Sequence, residues 1–262
     1  MNIVVLSGSP RKRDSYSIVK TIETIMSEKS KVTFDYVKIY DYNIKECTGC
    51  MKCFNSGEQY CPLKDDVKLL ATKLVKADGI IFASPVYAIS ISATMKKVID
   101  RLAYIFHRPE LIAKPAISVV TTFGGGLKPT QKYLKMVAKG WGCTYIGDVS
   151  VMSPIYFDNS KFYNEKYATK INKKLSDITN KFYQHIAQQI KPQPTFYDLY
   201  MFQGFKSKTY ISKADYKFWL DRNWLNSNFY YSVKLNPIKK IFASSLNMII
   251  KIAYKKIYSQ IS

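Results

Sequence analysis

The stretch NIVVLSGSPRKRDSYS, residues 2–17, decides the fold. Residues 2–7 are a continuous apolar run, so the strand they predict needs cover on both faces. Gly8 then permits a tight turn. Ser9, Ser15 and Ser17 add hydroxyls, and Arg11 adds a fork of donors. A helical pattern begins near Ser17, so its free N–H groups and positive dipole end face the same point. A doubly covered strand that runs through an anion-suited loop into a helix is the opening unit of a layered α/β sheet. A Ser-rich capping turn has the same composition. The loop matches neither G-x-G-x-x-G nor G-x4-G-K-[ST], which disfavours the usual dinucleotide fingerprint and the P-loop.

The rhythm repeats downstream. Runs at 32–39, 78–84, 115–122 and 143–152 predict four more strands. Helical spacing at 17–28, 65–76, 93–106, 128–139 and 164–190 places helices between and after them. The expected architecture is a three-layer, doubly wound α/β domain with a five-stranded parallel sheet over residues 1–190. Such sheets bind ligands at the carboxyl ends of their strands. Two more loops fall on that edge. SPVY at 84–87 is stiffened by Pro85 and carries the aromatic Tyr87. TTFGGG at 121–126 exposes backbone N–H groups and admits a planar ligand. The convergence of three loops on one edge carries the argument.

The chain has 262 residues, 47% of them apolar, which suffices for a real core. The opening residues lack a basic and apolar leader pattern, and no apolar stretch reaches 18 residues, so a cytoplasmic protein without a spanning helix is expected. The net charge of +21 suits nucleic acid, anionic membrane, phosphorylated cofactors or acidic proteins. No block of five like charges and no nucleic-acid signature occurs, so nucleic acid is not an expected partner.

Pro192 and Pro194 break the α/β rhythm. Residues 191–262 are rich in aromatics and Lys and are expected to form a helical C-terminal extension. An aromatic cluster packed on the sheet domain or across a dimer accounts for 196–231. Residues 238–258 place apolar side chains at helical spacing with Lys at the flanks. This pattern suits a weak membrane-surface association or a helix docked on a second subunit.

In combination, GSPR at 8–11, SPVY at 84–87 with MKKVIDR at 95–101, and TTFGGG at 121–126 resemble the flavodoxin-like NADPH-dependent FMN reductases. The resemblance covers about residues 1–190. It implies FMN, with NAD(P)H as electron donor and a flavin, quinone or similar small-molecule acceptor. It also implies that Ser9, Arg11, Ser15 and Ser17 hold the phosphate. Tyr16 stands in this loop where the family usually has a small polar residue. By the same resemblance Pro85, Val86 and Tyr87 lie along the isoalloxazine ring, with Thr122, Phe123, Gly124 and Gly125 on its other side. A homodimer is expected. The chemistry is mainly the flavin's. His107 and His185 read as surface or helix-end residues, so no essential protein acid or base is expected.

Four of the five cysteines, Cys47, Cys50, Cys53 and Cys61, follow C-x2-C-x2-C-x7-C. A metal or cluster site, a disulfide framework and free thiols are the alternatives. A reducing compartment disfavours disulfides. Structural zinc uses two separated Cys pairs, and here Cys50 would belong to both. The motif, with Lys64-Asp65-Asp66 after it, resembles that of the iron–sulfur flavoproteins, a branch of the same family that holds a [4Fe–4S] cluster beside FMN. Free thiols lining a flavin pocket are the competing reading. The branch also implies an alternative role, an electron carrier fed by a ferredoxin-like protein, which a basic surface would suit.

Overall fold

The computed structural model describes residues 1–153 and 164–257. Its sheet contains β1 (Asn2–Ser7), β2 (Thr33–Lys38), β3 (Gly79–Pro85), β4 (Pro115–Thr122) and β5 (Thr144–Met152), all parallel, in the order β2-β1-β3-β4-β5. The chain leaves β1 for β2 on one side and reaches β3 on the other. The crevice between β1 and β3 is therefore the topological switch point.

α1 (Asp14–Ser27) and α7 (Glu165–Ala187) cover one face of the sheet. Val19, Ile22, Met26, Leu175 and Phe182 pack there on Ile3, Val5, Ile117 and Val119. α3 (Val67–Lys76), α4 (Ala93–Arg101) and α6 (Leu127–Gly140) cover the other face. Leu70, Leu74, Val98, Leu134 and Val137 pack there on Val4, Leu6, Ala116 and Val120. β4 is buried at every residue, as a strand sandwiched between helix layers must be. The expected three-layer, doubly wound fold is present.

The helix expected over 93–106 is two helices. After α4 the hydrogen bonds tighten to i→i+3, Ile105 N to Leu102 O at 3.0 Å and Phe106 N to Ala103 O at 3.1 Å. That turns α5 (Tyr104–His107) off the axis of α4. α1 starts at Asp14, three residues ahead of the apolar pattern, because the anion loop itself winds into the first turn. Between β2 and α3 lies the cysteine loop with the four-residue α2 (Lys52–Asn55).

The extension is helical, as expected, with α8 (Phe196–Lys206), α9 (Lys213–Asp221) and α10 (Pro237–Ile257). Thr195 and Asp198 form a capping box that starts α8. Leu199, Phe202, Trp219, Trp224, Phe229 and Leu235 form a separate core. The Phe202 ring lies 5.2 Å from that of Trp219 and 4.8 Å from that of Tyr230. Phe205 meets Phe106 of α5, and Lys139 of α6 pairs with Asp198 at 2.5 Å, which fastens the extension to the sheet domain. α10 packs Phe242 and Ala243 inward, while Ile238, Ile241, Met248, Ile249 and Ile252 face solvent. Residue 258 of the amphipathic stretch lies outside the described residues. Among the described residues no helix is long and apolar enough to cross a membrane.

Phe202 is the ring on which the extension's core closes. Phe202→Ala should cost about 3–5 kcal/mol. Urea denaturation followed by tryptophan fluorescence checks this, because Trp219 loses its neighbour.

Candidate functional site

The expected loops meet at the carboxyl edge of the sheet and enclose a cavity of about 140 Å³. The loop after β1 supplies Ser9, Arg11, Arg13, Asp14 and Ser15. The loop after β3 supplies Pro85, Val86 and Tyr87, the end of β4 supplies Thr121, Thr122 and Phe123, and Ser153 follows β5. Gly8 fixes the geometry. Its N–H donates to Ala83 O at 2.8 Å, and its carbonyl accepts from Ser92 Oγ at 2.7 Å. A Cβ on residue 8 would stand 2.6 Å from Ser92 Oγ and 3.0 Å from Met95 Cβ, so only glycine fits. Ser92 also caps α4 by accepting from Met95 N at 3.3 Å. Ser9 Oγ accepts from Arg11 N at 3.2 Å, and Arg11 Nη2 donates to Tyr87 Oη at 3.4 Å. The cavity wall thus includes hydroxyls, guanidiniums and the start of α1. It also includes the apolar and aromatic Val86, Tyr87 and Phe123. That donor set fits a phosphate joined to a planar aromatic ring.

Four expected residues lie outside this cavity. Tyr16 turns away and packs its ring 5.4 Å from that of Tyr36. Ser17 is already within α1, its N–H bonded to Arg13 O at 2.9 Å. Gly124 and Gly125 form a turn beyond the rim, folded by Thr122 Oγ1, which donates to Gly125 O at 2.9 Å and accepts from Gly124 N at 3.2 Å. The cavity adds Arg13, Asp14, Thr121 and Ser153. Asp14 accepts from Ser153 Oγ, which ties the start of α1 to the end of β5. Arg13 and Asp14 were within reach of sequence reasoning as neighbours of Arg11 at a helix start. Ser153 joins only because β5 lies beside β4 in the sheet, with Ser153 N bonded to Thr122 O at 2.6 Å.

Tyr87 and Ser90 close a two-residue hairpin through mutual backbone bonds of 2.9 and 3.0 Å. Its central residues, Ala88 and Ile89, have φ of 47° and 64°. A β-branched residue in the left-handed region is strained, and here it stands 67% exposed beside the cavity.

The four clustered cysteines line a second cavity of about 350 Å³, with Met51, Phe54, Leu63, Val67 and Tyr104 as apolar wall. Among the described residues no group of three or more His, Cys, Asp or Glu side chains is placed to hold a metal ion. The thiols instead ring the cavity. The Lys52 N–H bonds the Cys50 sulfur and lowers its pKa. Burial pushes the Cys53 thiol up, and Arg108 opposes that. Arg101 Nη2 donates to Cys61 Sγ at 3.6 Å. Four thiols around one space, with two guanidiniums to offset thiolate charge, fit four-cysteine ligation of an iron–sulfur cluster. Cys143 is a buried core thiol, as expected, with its pKa pushed up by burial to about 12.

The loop is closed at its neck by a buried pair. Arg101 and Asp65 side chains are 3% and 1% exposed, and Arg101 Nη1 donates to Asp65. Asp65 also accepts from Lys45 N at 2.9 Å, and Arg101 donates to Lys45 O at 3.0 Å. Asp66 accepts from Asn43 N at 2.8 Å. Burial alone would raise the Asp65 pKa. The Arg101 hydrogen bond and the Lys45 and Val67 N–H groups outweigh it and hold the carboxyl below its ordinary value.

His107 stands at a helix end, as expected, and is half-buried. Its ring packs 4.4 Å from Phe54, and Nδ1 is 2.8 Å from Asp215 Oδ2. His185 lies near the end of α7, away from both cavities.

Residues 1–158 match the family model described as NADPH-dependent FMN reductase. An iron-sulfur flavoprotein of Archaeoglobus fulgidus is 30% identical over 86% of this chain and 100% of its own length. An iron-sulfur flavoprotein of Clostridioides difficile is 27% identical over 77% of this chain and 86% of its own. The solved structure of RosB with bound 8-demethyl-8-formylriboflavin-5'-phosphate superposes with a TM-score of 0.58 at 13% identity. It covers 90% of this chain and 92% of its own, a likeness of fold.

Arg101→Met leaves the Asp65 charge buried without its main partner and should cost about 3–5 kcal/mol by urea denaturation. The Asp65 pKa is lower in the folded chain than in the unfolded one. Its stabilisation is therefore complete above the unfolded value of about 3.9 and is lost as pH falls through the folded value. Acid titration of Arg101→Met should lack that component. Separately, Ile89→Gly relieves the left-handed strain and should raise stability by about 1 kcal/mol, read by thermal unfolding.

Proposed function

The chain belongs to the NADPH-dependent FMN reductase family, in its iron–sulfur flavoprotein branch, and from that premise we propose an FMN-dependent oxidoreductase that takes electrons from NAD(P)H. The acceptor is a flavin, a quinone or a similar small molecule. The observation that carries the reading is the meeting of three loops and the start of α1 at one cavity on the carboxyl edge. Ser9, Ser15, Arg11 and Arg13 would hold the FMN phosphate. Val86, Tyr87 and Phe123 would flank the ring and keep water from it. Cys47, Cys50, Cys53 and Cys61 would hold a [4Fe–4S] cluster. Bound flavin supplies hydride acceptance and one- or two-electron release, and a bound cluster supplies one-electron exchange.

A second reading places a ferredoxin-like protein as the electron donor. It is supported by the rim of the cysteine cavity. Lys45, Lys52, Lys64 and Lys68 are exposed on and beside the cysteine loop, with exposed Met51 and Tyr60, and outnumber the exposed Glu46 and Glu58, a net basic surface that suits an acidic partner.

Anaerobically purified protein should be yellow-brown, with FMN and an iron–sulfur EPR signal on reduction. Arg11→Ala should weaken FMN binding about tenfold, the loss of one charge-assisted hydrogen bond. A colourless protein that takes up no FMN sinks the reading. Stopped-flow mixing separates the donors: rapid flavin bleaching by NADPH supports the reductase, and bleaching only by reduced ferredoxin supports the carrier.

A further inference from the structure

α2 has four residues and cannot hold itself together in water. Its last carbonyls have no partner within the helix. Two of them are taken by groups far away in sequence. Arg108 Nη2 donates to Cys53 O at 2.5 Å, and Ser212 Oγ donates to Phe54 O at 2.6 Å. Ser212 is also the cap of α9, accepting from Asp215 N at 3.1 Å. Asp215 itself has no exposed surface. Its carboxylate accepts from Arg108 Nη1 and lies 2.8 Å from His107 Nδ1. The other partner of Arg108 is Glu58, at 3.0 Å on the cysteine loop. Trp219 Nε1 donates to His107 O at 2.7 Å and locks α9 against α5. A buried guanidinium is tolerated only while paired, so Asp215 is what allows Arg108 to stand beside Cys53.

We propose that Ser212 and Asp215 of the C-terminal extension are positioning residues of the cysteine site: they hold the turn that carries Cys53 and balance the positive charge of Arg108 next to it. The charge-balancing part rests on the four-cysteine cluster reading, and the grip on α2 does not. Removing the Asp215 charge leaves Arg108 with the solvent-screened Glu58 as its one carboxylate partner among the described residues, so less of its positive charge is offset beside the thiolates. That favours the reduced, more negative state of a bound cluster and moves its potential upward.

The test uses the full chain, purified anaerobically, as wild type, Asp215→Asn, Asp215→Glu and Ser212→Ala. Hydrogen exchange by mass spectrometry reads the grip. Amides of residues 50–61 should exchange about tenfold faster in Asp215→Asn and Ser212→Ala, with residues 115–122 unchanged and partial rescue in Asp215→Glu. Iron retention against a chelator should fall about tenfold in Asp215→Asn. The midpoint potential of the iron that remains should rise by about 59 mV, a tenfold change in a one-electron equilibrium.

Unchanged exchange over 50–61 in both variants overturns the proposal. If Asp215→Asn also loosens 115–122, the fold has failed, and Ser212→Ala, which removes two neutral bonds, to Phe54 O and from Asp215 N, and no charge, decides. Faster exchange with an unmoved potential overturns the charge-balancing part. Iron-free wild-type protein overturns the cluster reading, and the exchange data still decide the grip.

Discussion

The buried pair of Arg101 and Asp65 closes the neck of the cysteine loop, and both cavities depend on where it stands. Arg101 is the last residue of α4, and Ser92 caps the first turn of the same helix. Ser92 holds Gly8 at the head of the phosphate-suited loop, while Arg101 holds Lys45 and Cys61 on the cysteine loop. At 1.5 Å per residue, nine residues set these two anchors about 13 Å apart. Val98 and Met95 bury the helix against the sheet, so it cannot slide without opening the core. The spacing between the two sites is therefore a property of one packed helix, not of the loops that line them.

Two buried arginines reach the cysteine loop, and each is matched by a buried aspartate. Arg101 with Asp65 grips the base, and Arg108 with Asp215 grips the turn that carries Cys53. In a chain of net charge +21 cations are plentiful. The scarce partner is the buried acid, and the two pairs use it differently. Asp65 follows the cysteines directly, so the neck is local. Asp215 comes from the extension, so the outer grip exists only when both parts of the chain are folded. Buried ion pairs add little net stability, because desolvation offsets their attraction. What they add here is direction. A guanidinium fork fixes a carbonyl, a carboxylate and a thiol at set angles.

Much of this was legible in the sequence. The five expected runs became the five strands, and for the central β1, β3 and β4 burial on both faces leaves a chain few other choices. The loops containing GSPR, SPVY and TTFGGG met at one cavity because β1, β3 and β4 are neighbours in the sheet. The failures share a cause. Tyr16 was expected in the phosphate loop, where it departs from the family's usual small polar residue, yet the first turn of α1 rotates it onto Tyr36. Helical spacing over 93–106 hid the turn at Leu102, since apolar residues on both sides keep the period while the backbone changes direction. His107 and Asp215 are 108 residues apart, and no spacing argument could pair them. Lys64-Asp65-Asp66 was recognisable as a motif, but its work, closing a neck onto Asn43 and Lys45, is visible only in three dimensions.

The extension raises a question that its own core does not answer. The sheet domain has two complete apolar cores, one on each face, and neither draws on residues beyond α7. The cysteine loop, in contrast, has almost none. It contains a left-handed Met51, glycines at 49 and 57 with positive φ, and a helix of one turn. Phe54 and Cys53 are its inward contacts with the core. Such a segment has no reason to keep one shape unless shape is imposed from outside. The neck imposes it at the base. The extension imposes it at the tip, through Ser212 and the Arg108–Asp215 pair, with the Phe202–Trp219 cluster as the rigid body behind them. An aromatic-rich extension on a domain that folds around its own cores is thus explained by the loop that lacks one.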